Sequence, residues 1–247
     1  MEESKTLRYL EDLAARAERS TIYTYSGFLS PEEQDAFLKK HPFGACRFEG
    51  GTQAAERCVL ICGSEADLGY PPEPPIALLM IRPASEKFGE ELSHRDILGA
   101  VLGLGIERSL IGDILIRGKT AWLFCLESIA DFLAGNLRQI RHTSVTLSRA
   151  ESLQDAPAPV LVPLRLNVAS ERLDGILSAF CRLSRGKAAE LIRLERVRIG
   201  ARLAASPDIR LKEGDVLRVR GFGKAIYDGV VNETKKGRLY VALRQYQ

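Results

Sequence analysis

Two proline-rich segments divide this chain of 247 residues. In the first, at residues 70–75, four prolines remove four backbone N–H donors within five residues, so the segment can form neither a helix nor an inner strand. The second, at residues 153–163, contains three prolines. A chain of this length can fold as two or three small domains. We therefore predict three parts: residues 1–70, 76–150 and 164–247.

The first part is predicted to be a small α/β unit. Apolar residues recur at helical spacing from Leu7 to Ala17, which indicates an amphipathic helix. Ser30-Pro31-Glu32-Glu33 combines an N-cap serine, a proline in the first turn and a glutamate three residues after the cap, and so marks a second helix start. Short strands are expected at residues 45–49 and 57–62.

Strands and helices follow the order βαββαβ in the second part. The strands are predicted at residues 76–82, 111–117, 120–126 and 144–148, and the helices at residues 93–102 and 128–137. This is the order of ferredoxin-like and RNA-recognition-motif folds, in which two helices cover one face of an antiparallel sheet. The predicted fold class is therefore α+β, with a ferredoxin-like (RRM-like) middle domain.

An RNA-recognition motif stacks bases on aromatic residues of its third strand. Here Trp122 and Phe124 alternate in that strand, but the surrounding glycine-aromatic pattern is missing. Core packing by one or both rings is favoured over base stacking.

Charge is distributed unevenly along the chain. Residues 1–159 hold 17 basic against 23 acidic side chains, whereas residues 160–247 hold 18 against 9. The overall net charge of +3 therefore hides a C-terminal part of +9. Such asymmetry favours contact between the C-terminal part and a polyanion, although a solvated basic face is an equal alternative on charge alone.

Five cysteines form no Cys-x-x-Cys pair, so neither a disulfide framework nor a zinc knuckle is expected. Cys58 and Cys62 lie in an apolar run that is predicted to be a buried strand, and alternation would put both sulfurs on one face. Reduced, mostly buried thiols are favoured over a metal site there.

Apolar runs such as residues 76–81 are far shorter than the roughly 20 residues of a membrane helix. The charged N-terminus lacks the basic-then-apolar order of a secretory signal. A cytoplasmic protein is expected.

The third part begins with two predicted helices. Leu173, Ile176, Leu177 and Phe180 share one helical face. A second helix starts at Ser184, and its first turn holds Arg185-Gly186-Lys187, where free backbone N–H groups attract phosphate. A projection at 100° per residue gives this helix a core side and a neighbouring basic face. The core side has Ala188, Leu191 and Ile192, and the basic face has Arg185, Ala189, Arg193 and Arg196.

Several separated blocks then carry a family resemblance. Arg-Leu-Asp-Gly-Ile-Leu from residue 172, Leu-Ser-Arg-Gly-Lys-Ala-Ala-Glu-Leu-Ile from residue 183 and Lys-Glu-Gly-Asp-Val-Leu from residue 212 resemble the S4 domain over residues 166–229. In the middle part, Leu-Ser-His-Arg-Asp-Ile-Leu-Gly from residue 92 and Ile-Glu-Arg-Ser-Leu-Ile-Gly-Asp-Ile from residue 106 resemble bacterial YlmH-type proteins, which carry a C-terminal S4 domain.

The resemblance implies a non-catalytic protein that binds structured RNA, either ribosomal RNA or transfer RNA, at the large ribosomal subunit. Neither a cofactor nor a metal is implied, and no membrane or DNA partner is expected. Few aromatic residues are available for stacking, which favours reading of shape and backbone over sequence. The side chains predicted to contact RNA are Arg172, Arg185, Lys187, Arg193, Arg196, Arg198 and Lys224.

Two other classes of function stay open. Arg172-Leu173-Asp174 superficially fits the motif of a pseudouridine synthase guided by an S4 domain, but Asp174 is expected to serve the first turn of its helix. His94-Arg95-Asp96 invites a catalytic interpretation, yet adjacent helical residues point about 100° apart, and Ser93 with Asp96 fits a helix cap better. An adaptor that binds a protein partner through residues 1–160 is the third possibility.

Overall fold

The computed structural model describes residues 2–41, 45–52, 55–87, 89–200, 202–235 and 237–246, with the side chains of residues 2–4 left aside. The chain folds into two compact units, residues 1–157 and residues 158–247. The boundary lies within the predicted second proline-rich segment. The predicted α+β class is confirmed, because helices and antiparallel sheets occur in both units. None of the described helices is long and apolar enough to span a membrane.

The first unit begins with a three-stranded sheet covered by helices. Its elements are α1 (Glu2–Ser20), β1 (Thr24–Leu29), α2 (Pro31–Lys40), β2 (Cys46–Glu49), β3 (Cys58–Cys62) and α3 (Glu65–Leu68). The predicted cap of α2 is confirmed, since Ser30 and Glu33 each bond the other's backbone N–H. Strand β3 is central and fully buried, between β1 and β2.

Strand β1 was not predicted, because a serine and a glycine interrupt its apolar pattern. Ser26 is buried, and its hydroxyl accepts a hydrogen bond from Leu60 N at 2.9 Å and donates one to Gly27 O. A side chain at residue 27 would collide with Ser109, whose carbonyl oxygen lies 2.7 Å from the position of a Cβ. The polar residues of β1 therefore serve strand pairing and close packing.

The expectation of reduced thiols is wrong for one pair of cysteines. Cys46 and Cys62 lie directly opposite each other on β2 and β3 and form a disulfide. Residue spacing could not reveal the pair, because it depends on the register between two strands. The other three cysteines, Cys58, Cys125 and Cys181, are free and buried, as expected.

The rest of the first unit contains the predicted βαββαβ order. Its elements are β4 (Ile76–Pro83), α4 (His94–Gly103), β5 (Ile111–Arg117), β6 (Thr120–Leu126), α5 (Glu127–Asn136), β7 (Gln139–Ile140) and β8 (Thr143–Arg149). The sheet order β5-β6-β4-β8-β7 is the ferredoxin-like order with one short strand added. Helix α4 begins with the predicted cap, in which Ser93 and Asp96 bond each other's backbone N–H.

The two sheets of the first unit share an apolar cluster. Alternate residues of β6 face opposite ways: Leu123 packs with the helices, whereas Phe124 packs with Phe28 and Val59 from the three-stranded sheet. Phe124 is fully buried, and Trp122 packs against the same cluster. Core packing of these two rings, as predicted, therefore removes Phe124 from contact with a ligand.

A carboxylate reinforces this junction. Asp113 accepts hydrogen bonds from Glu56 N at 2.7 Å and Arg57 N at 3.0 Å. The Arg57 guanidinium in turn donates to the carbonyls of Phe28 and Ile111, at 2.6 and 3.0 Å. Burial lowers the pKa of Arg57 from its ordinary value. Residues 56–57 are thereby fixed to β5 by both backbone and side-chain bonds.

The second unit is a six-stranded antiparallel sheet with two helices. Its elements are β9 (Leu161–Val168), α6 (Leu173–Cys181), α7 (Arg185–Arg193), β10 (Val197–Ile199), β11 (Arg202–Leu203), β12 (Val216–Val219), β13 (Gly223–Glu233) and β14 (Leu239–Tyr246). The order is β11-β10-β12-β13-β14-β9. Strand β9 starts inside the predicted proline-rich segment; Pro163 is tolerated there because β9 is an edge strand.

Replacing Asp113 with alanine should lower the free energy of unfolding of the first unit by about 1–3 kcal/mol, since two backbone donors lose their partner. Urea titration followed by fluorescence of Trp122, the only tryptophan of the chain, reports this unit. Asp131→Ala, at an exposed position of α5, is the matched control. Equal midpoints for the two variants would contradict a stabilising role for Asp113.

Candidate nucleic-acid interface

Helices α6 and α7 pack against one face of the C-terminal sheet through apolar side chains. Leu173, Ile176 and Leu177 of α6 are fully buried, while Phe180 is partly exposed against the same core. The predicted core side of α7 is confirmed, since Ala188, Leu191 and Ile192 are buried. The opposite side of α7 faces solvent and carries its basic residues, whereas the basic residues next to α6, Arg172 and Arg182, lie at the two ends of that helix.

The turn between the helices exposes the N-terminus of α7. Arg182 ends α6 in the left-handed conformation, with φ of 55°. The Ser178 hydroxyl donates to Leu183 O at 2.6 Å, and Ser184 then caps α7 by accepting from Lys187 N at 3.3 Å. Arg185 and Lys187 are exposed in the first turn of α7, as predicted. Their charges add to the positive end of the helix dipole.

One buried carboxylate holds two of the predicted RNA-contacting arginines. Asp174 is 9% exposed and accepts from Arg185 Nη2 at 3.1 Å through both oxygens, and from Arg172 Nε at 3.2 Å. It also accepts from Gly175 N, in the first turn of α6. The side chains of Arg172 and Arg185 stay about half exposed, at 45% and 54%. Two positive charges therefore share one negative charge on an accessible surface.

This contact also sets the ionisation of Asp174. Burial alone raises the pKa of the carboxyl, but the hydrogen bonds from Arg185 and Arg172 outweigh burial and hold the pKa below its ordinary value of 3.8. The carboxylate is therefore charged at neutral pH and keeps both arginines oriented.

The structure separates Arg193 from Arg196. Arg193 is exposed in the last turn of α7, at the opposite end of the helix from Arg185 and Lys187. The helix ends there, however, and Glu195 adopts φ of 55°, so the helical projection was wrong for Arg196. Arg196 lies in the following loop, where its Nη2 donates to Arg220 O at 3.1 Å.

Two predicted contact residues lie on a different surface. Arg198 on β10 pairs with Arg218 on β12, and Arg218 pairs with Lys224 on β13, so all three share the sheet face away from α6 and α7. Arg198 is only 9% exposed. The Lys224 ammonium lies 4.5 Å from the centre of the Tyr246 ring. The predicted set therefore divides between a helix surface and an outer sheet face.

The helix surface is defined here as Arg172, Arg185, Lys187 and Arg193. Sequence reasoning missed Arg182, which is exposed in the turn between α6 and α7. Its position between two amphipathic segments was the available signal. Among the described residues, no three His, Cys, Asp or Glu side chains come together as metal ligands. Guanidinium and ammonium groups beside a helix N-terminus suit phosphate oxygens.

The fold and this surface define a two-unit α+β protein whose C-terminal unit presents a basic helix pair. Residues 74–154 match a family described as "Putative RNA-binding domain in YlmH". Ribosome-associated protein quality control protein P2 of Bacillus subtilis (strain 168) is 30% identical over 223 residues, which cover 88% of this chain and 85% of that protein. The chain therefore belongs to the bacterial YlmH family.

A solved structure agrees in fold. Cell division protein ylmH from Streptococcus pneumoniae is 23% identical, with a TM-score of 0.50, and the match covers 64% of this chain and 96% of that one. At this identity the likeness concerns the fold alone.

The lowered pKa of Asp174 predicts a pH dependence. Because the folded-state pKa is below 3.8, the stability that the ionised carboxylate contributes is present above that value and is lost as the pH falls further. Urea unfolding should therefore show that Asp174→Asn is less stable than the wild type at pH 7, with the difference shrinking near pH 3. Glu190→Gln, on exposed α7 surface, is the control. A difference that does not change with pH would exclude this role.

Proposed function

We propose that the C-terminal unit is an S4 RNA-binding domain and that the protein is a non-catalytic binder of folded RNA. The observation that carries this proposal is the helix surface, where Arg172, Arg185 and Lys187 lie at the exposed N-terminus of α7 and Arg193 lies in its last turn. Phosphates of structured RNA are spaced to meet several such charges at once. Reading of shape and backbone follows, because the surface is made of cations and backbone donors.

The proposed ligand is ribosomal RNA of the large subunit, with transfer RNA as a second ligand, in the cytoplasm. The resemblance to S4 proteins and the name of the Bacillus subtilis relative, a ribosome-associated quality control protein, support this assignment. The match of residues 74–154 to an RNA-binding domain family also supports RNA as the ligand class. The proposed role is in translation quality control on the ribosome.

The surroundings of Asp174 argue against a pseudouridine synthase. A catalytic aspartate must reach a substrate, whereas this carboxylate is almost buried and is already held by two guanidiniums and a backbone N–H. The catalytic interpretation of His94 with Asp96 is disfavoured for a similar reason. The Asp96 carboxylate accepts a hydrogen bond from the Ser93 hydroxyl at 2.6 Å and belongs to the cap of α4. An adaptor role for residues 1–160 is compatible with RNA binding by the other unit.

Reversal of two charges tests the proposal. Arg185→Glu/Arg193→Glu should weaken binding to purified large ribosomal subunits by roughly a hundredfold or more and make the salt dependence shallower, since fewer counterions are released. Binding is measured for the subunits and for tRNA across a salt series. Arg8→Glu/Arg19→Glu, at exposed positions of α1, changes the net charge equally and is the control.

Two results would contradict the proposal. Unchanged affinity of the Arg185→Glu/Arg193→Glu variant would exclude the helix surface as the binding site. An equal loss in both double variants would mean that net charge, rather than this surface, governs binding. Turnover of any RNA by the wild type would contradict a non-catalytic role and favour the enzyme alternative.

A further inference from the structure

The outer face of the C-terminal sheet, opposite α6 and α7, presents basic and aromatic side chains in register. Strand β14 pairs with β9 along its whole length, and Tyr240 lies opposite Asn167, while Ala242 lies opposite Arg165. Core residues such as Val241 and Leu166 alternate with them and point to the helices. The residues that alternate with this core set therefore share the outer face: Arg165, Asn167, Tyr240 and Ala242.

At one end of this face, an arginine and a tyrosine are stacked. The Arg165 guanidinium lies 4.6 Å from the centre of the Tyr240 ring. Its Nη2 also donates to Asn232 Oδ1 at 2.8 Å, which fixes the guanidinium plane over the ring. Bases stack on aromatic rings and on guanidinium planes alike, so this pair offers a stacking platform.

A second arginine beside it is oriented by an amide. Arg238 is exposed; its Nε donates to Asn167 Oδ1, and its Nη2 donates to Asn167 O at 3.1 Å. Among the described residues, no carboxylate forms an ion pair with Arg165 or Arg238. Both side chains are thus held in place while their positive charge stays uncompensated. This combination suits an anion.

Nearby Arg244 differs from Arg165 and Arg238 because it is paired with a carboxylate. It lies on the same face of β14, but its guanidinium forms a bidentate pair with Asp228, at 2.8 Å for both bonds. Its charge is already neutralised. Arg165 and Arg238 therefore differ from Arg244 in that their hydrogen-bond partners are amide and carbonyl oxygens, which carry no net charge.

A cleft connects this end of the sheet to the helix surface. Its volume is about 330 Å³, and its lining includes Asn167 from β9, Arg238 from the turn before β14, Ser178 from α6, and Arg185 from the first turn of α7. Arg185 and Arg238 therefore line the same cavity. A polyanionic chain bound at α7 meets Arg238 next, at the edge of β9.

We propose that the β9-edge site, defined as Arg165, Asn167, Asn232, Arg238 and Tyr240, binds a single-stranded segment of the RNA that α7 holds. Arg238 contacts a phosphate, a base stacks on the Arg165–Tyr240 pair, and the two asparagines orient the arginines. The inference rests on the proposed function, and it adds a second contact for an unpaired strand that leaves the folded element.

Two RNAs separate this site from the helix surface. One is a stem-loop, and the other is the same stem-loop with an unpaired uridine extension of about ten nucleotides, which is within the range of roughly 4–16 nucleotides that one small single-strand-binding domain covers. The full-length wild type should bind the extended RNA roughly tenfold more tightly, as expected for stacking and one or two phosphate contacts. Arg238→Ala and Tyr240→Ala should remove this gain and leave binding of the plain stem-loop unchanged.

Matched variants control for charge and folding. Arg244→Ala removes a cation from the same face but one already paired with Asp228, and should bind both RNAs like the wild type. Tyr240→Phe keeps the ring and should retain the gain. With 4-thiouridine in the extension, photocrosslinking should attach RNA to a peptide of β14 in the wild type and not in Arg238→Ala.

Equal affinity of the wild type for the two RNAs would overturn the inference, as would an equal loss on both RNAs in Arg238→Ala. Arg185→Glu/Arg193→Glu, run in the same series, keeps the two proposals distinguishable. If that variant loses both RNAs while the β9-edge variants bind normally, only this inference fails. If it binds both RNAs like the wild type, the proposed function itself fails.

Discussion

The hydrogen-bonded contact between Asp174 and two arginines is the interaction on which the basic helix pair depends. It joins the first turn of α6 to the first turn of α7, so it sets both the spacing of the helices and the direction of Arg172 and Arg185. A buried carboxylate without partners would be costly, and here both oxygens are satisfied. Because two cations share one anion, the contact stabilises the fold and still leaves a positive surface.

In the first unit, the open face of the ferredoxin-like sheet is covered by other parts of the chain. A ferredoxin-like sheet with two helices on one face leaves its other face open, and that face is where RNA-recognition motifs stack bases. Here the three-stranded sheet covers it, with Phe28 and Val59 packed on Phe124, and Asp113 bonded to residues 56–57. Base stacking on Phe124 is therefore excluded in this fold. Contacts of the first unit with a ligand would have to use other surfaces.

Features governed by local sequence could be predicted, and features governed by register could not. The caps at Ser30, Ser93 and Ser184 depend on side chains within three residues, and all three are present. The disulfide between Cys46 and Cys62 depends on how two strands align.

The same distinction between local sequence and tertiary structure applies to the candidate site. The exposed first turn of α7 and its apolar face follow from helical spacing alone. The placement of Arg196 failed because a single residue, Glu195, leaves the helical conformation. Arg198 and Lys224 were predicted to contact RNA together with the helical arginines, whereas strand alternation turns them to the other face of the sheet.

The partners of each arginine decide which positive charges remain available to a polyanion. Asp228 neutralises Arg244 completely, Asp174 neutralises half of the charge on Arg172 and Arg185, and the amides of Asn167 and Asn232 neutralise none on Arg238 and Arg165. An amide oxygen orients a guanidinium without neutralising its charge. A bound anion therefore meets the full charge of a side chain that is already ordered, and less side-chain entropy is lost on binding. The availability of positive charge to a polyanion in the C-terminal unit therefore depends more on which oxygen accepts a hydrogen bond from each guanidinium than on the net charge.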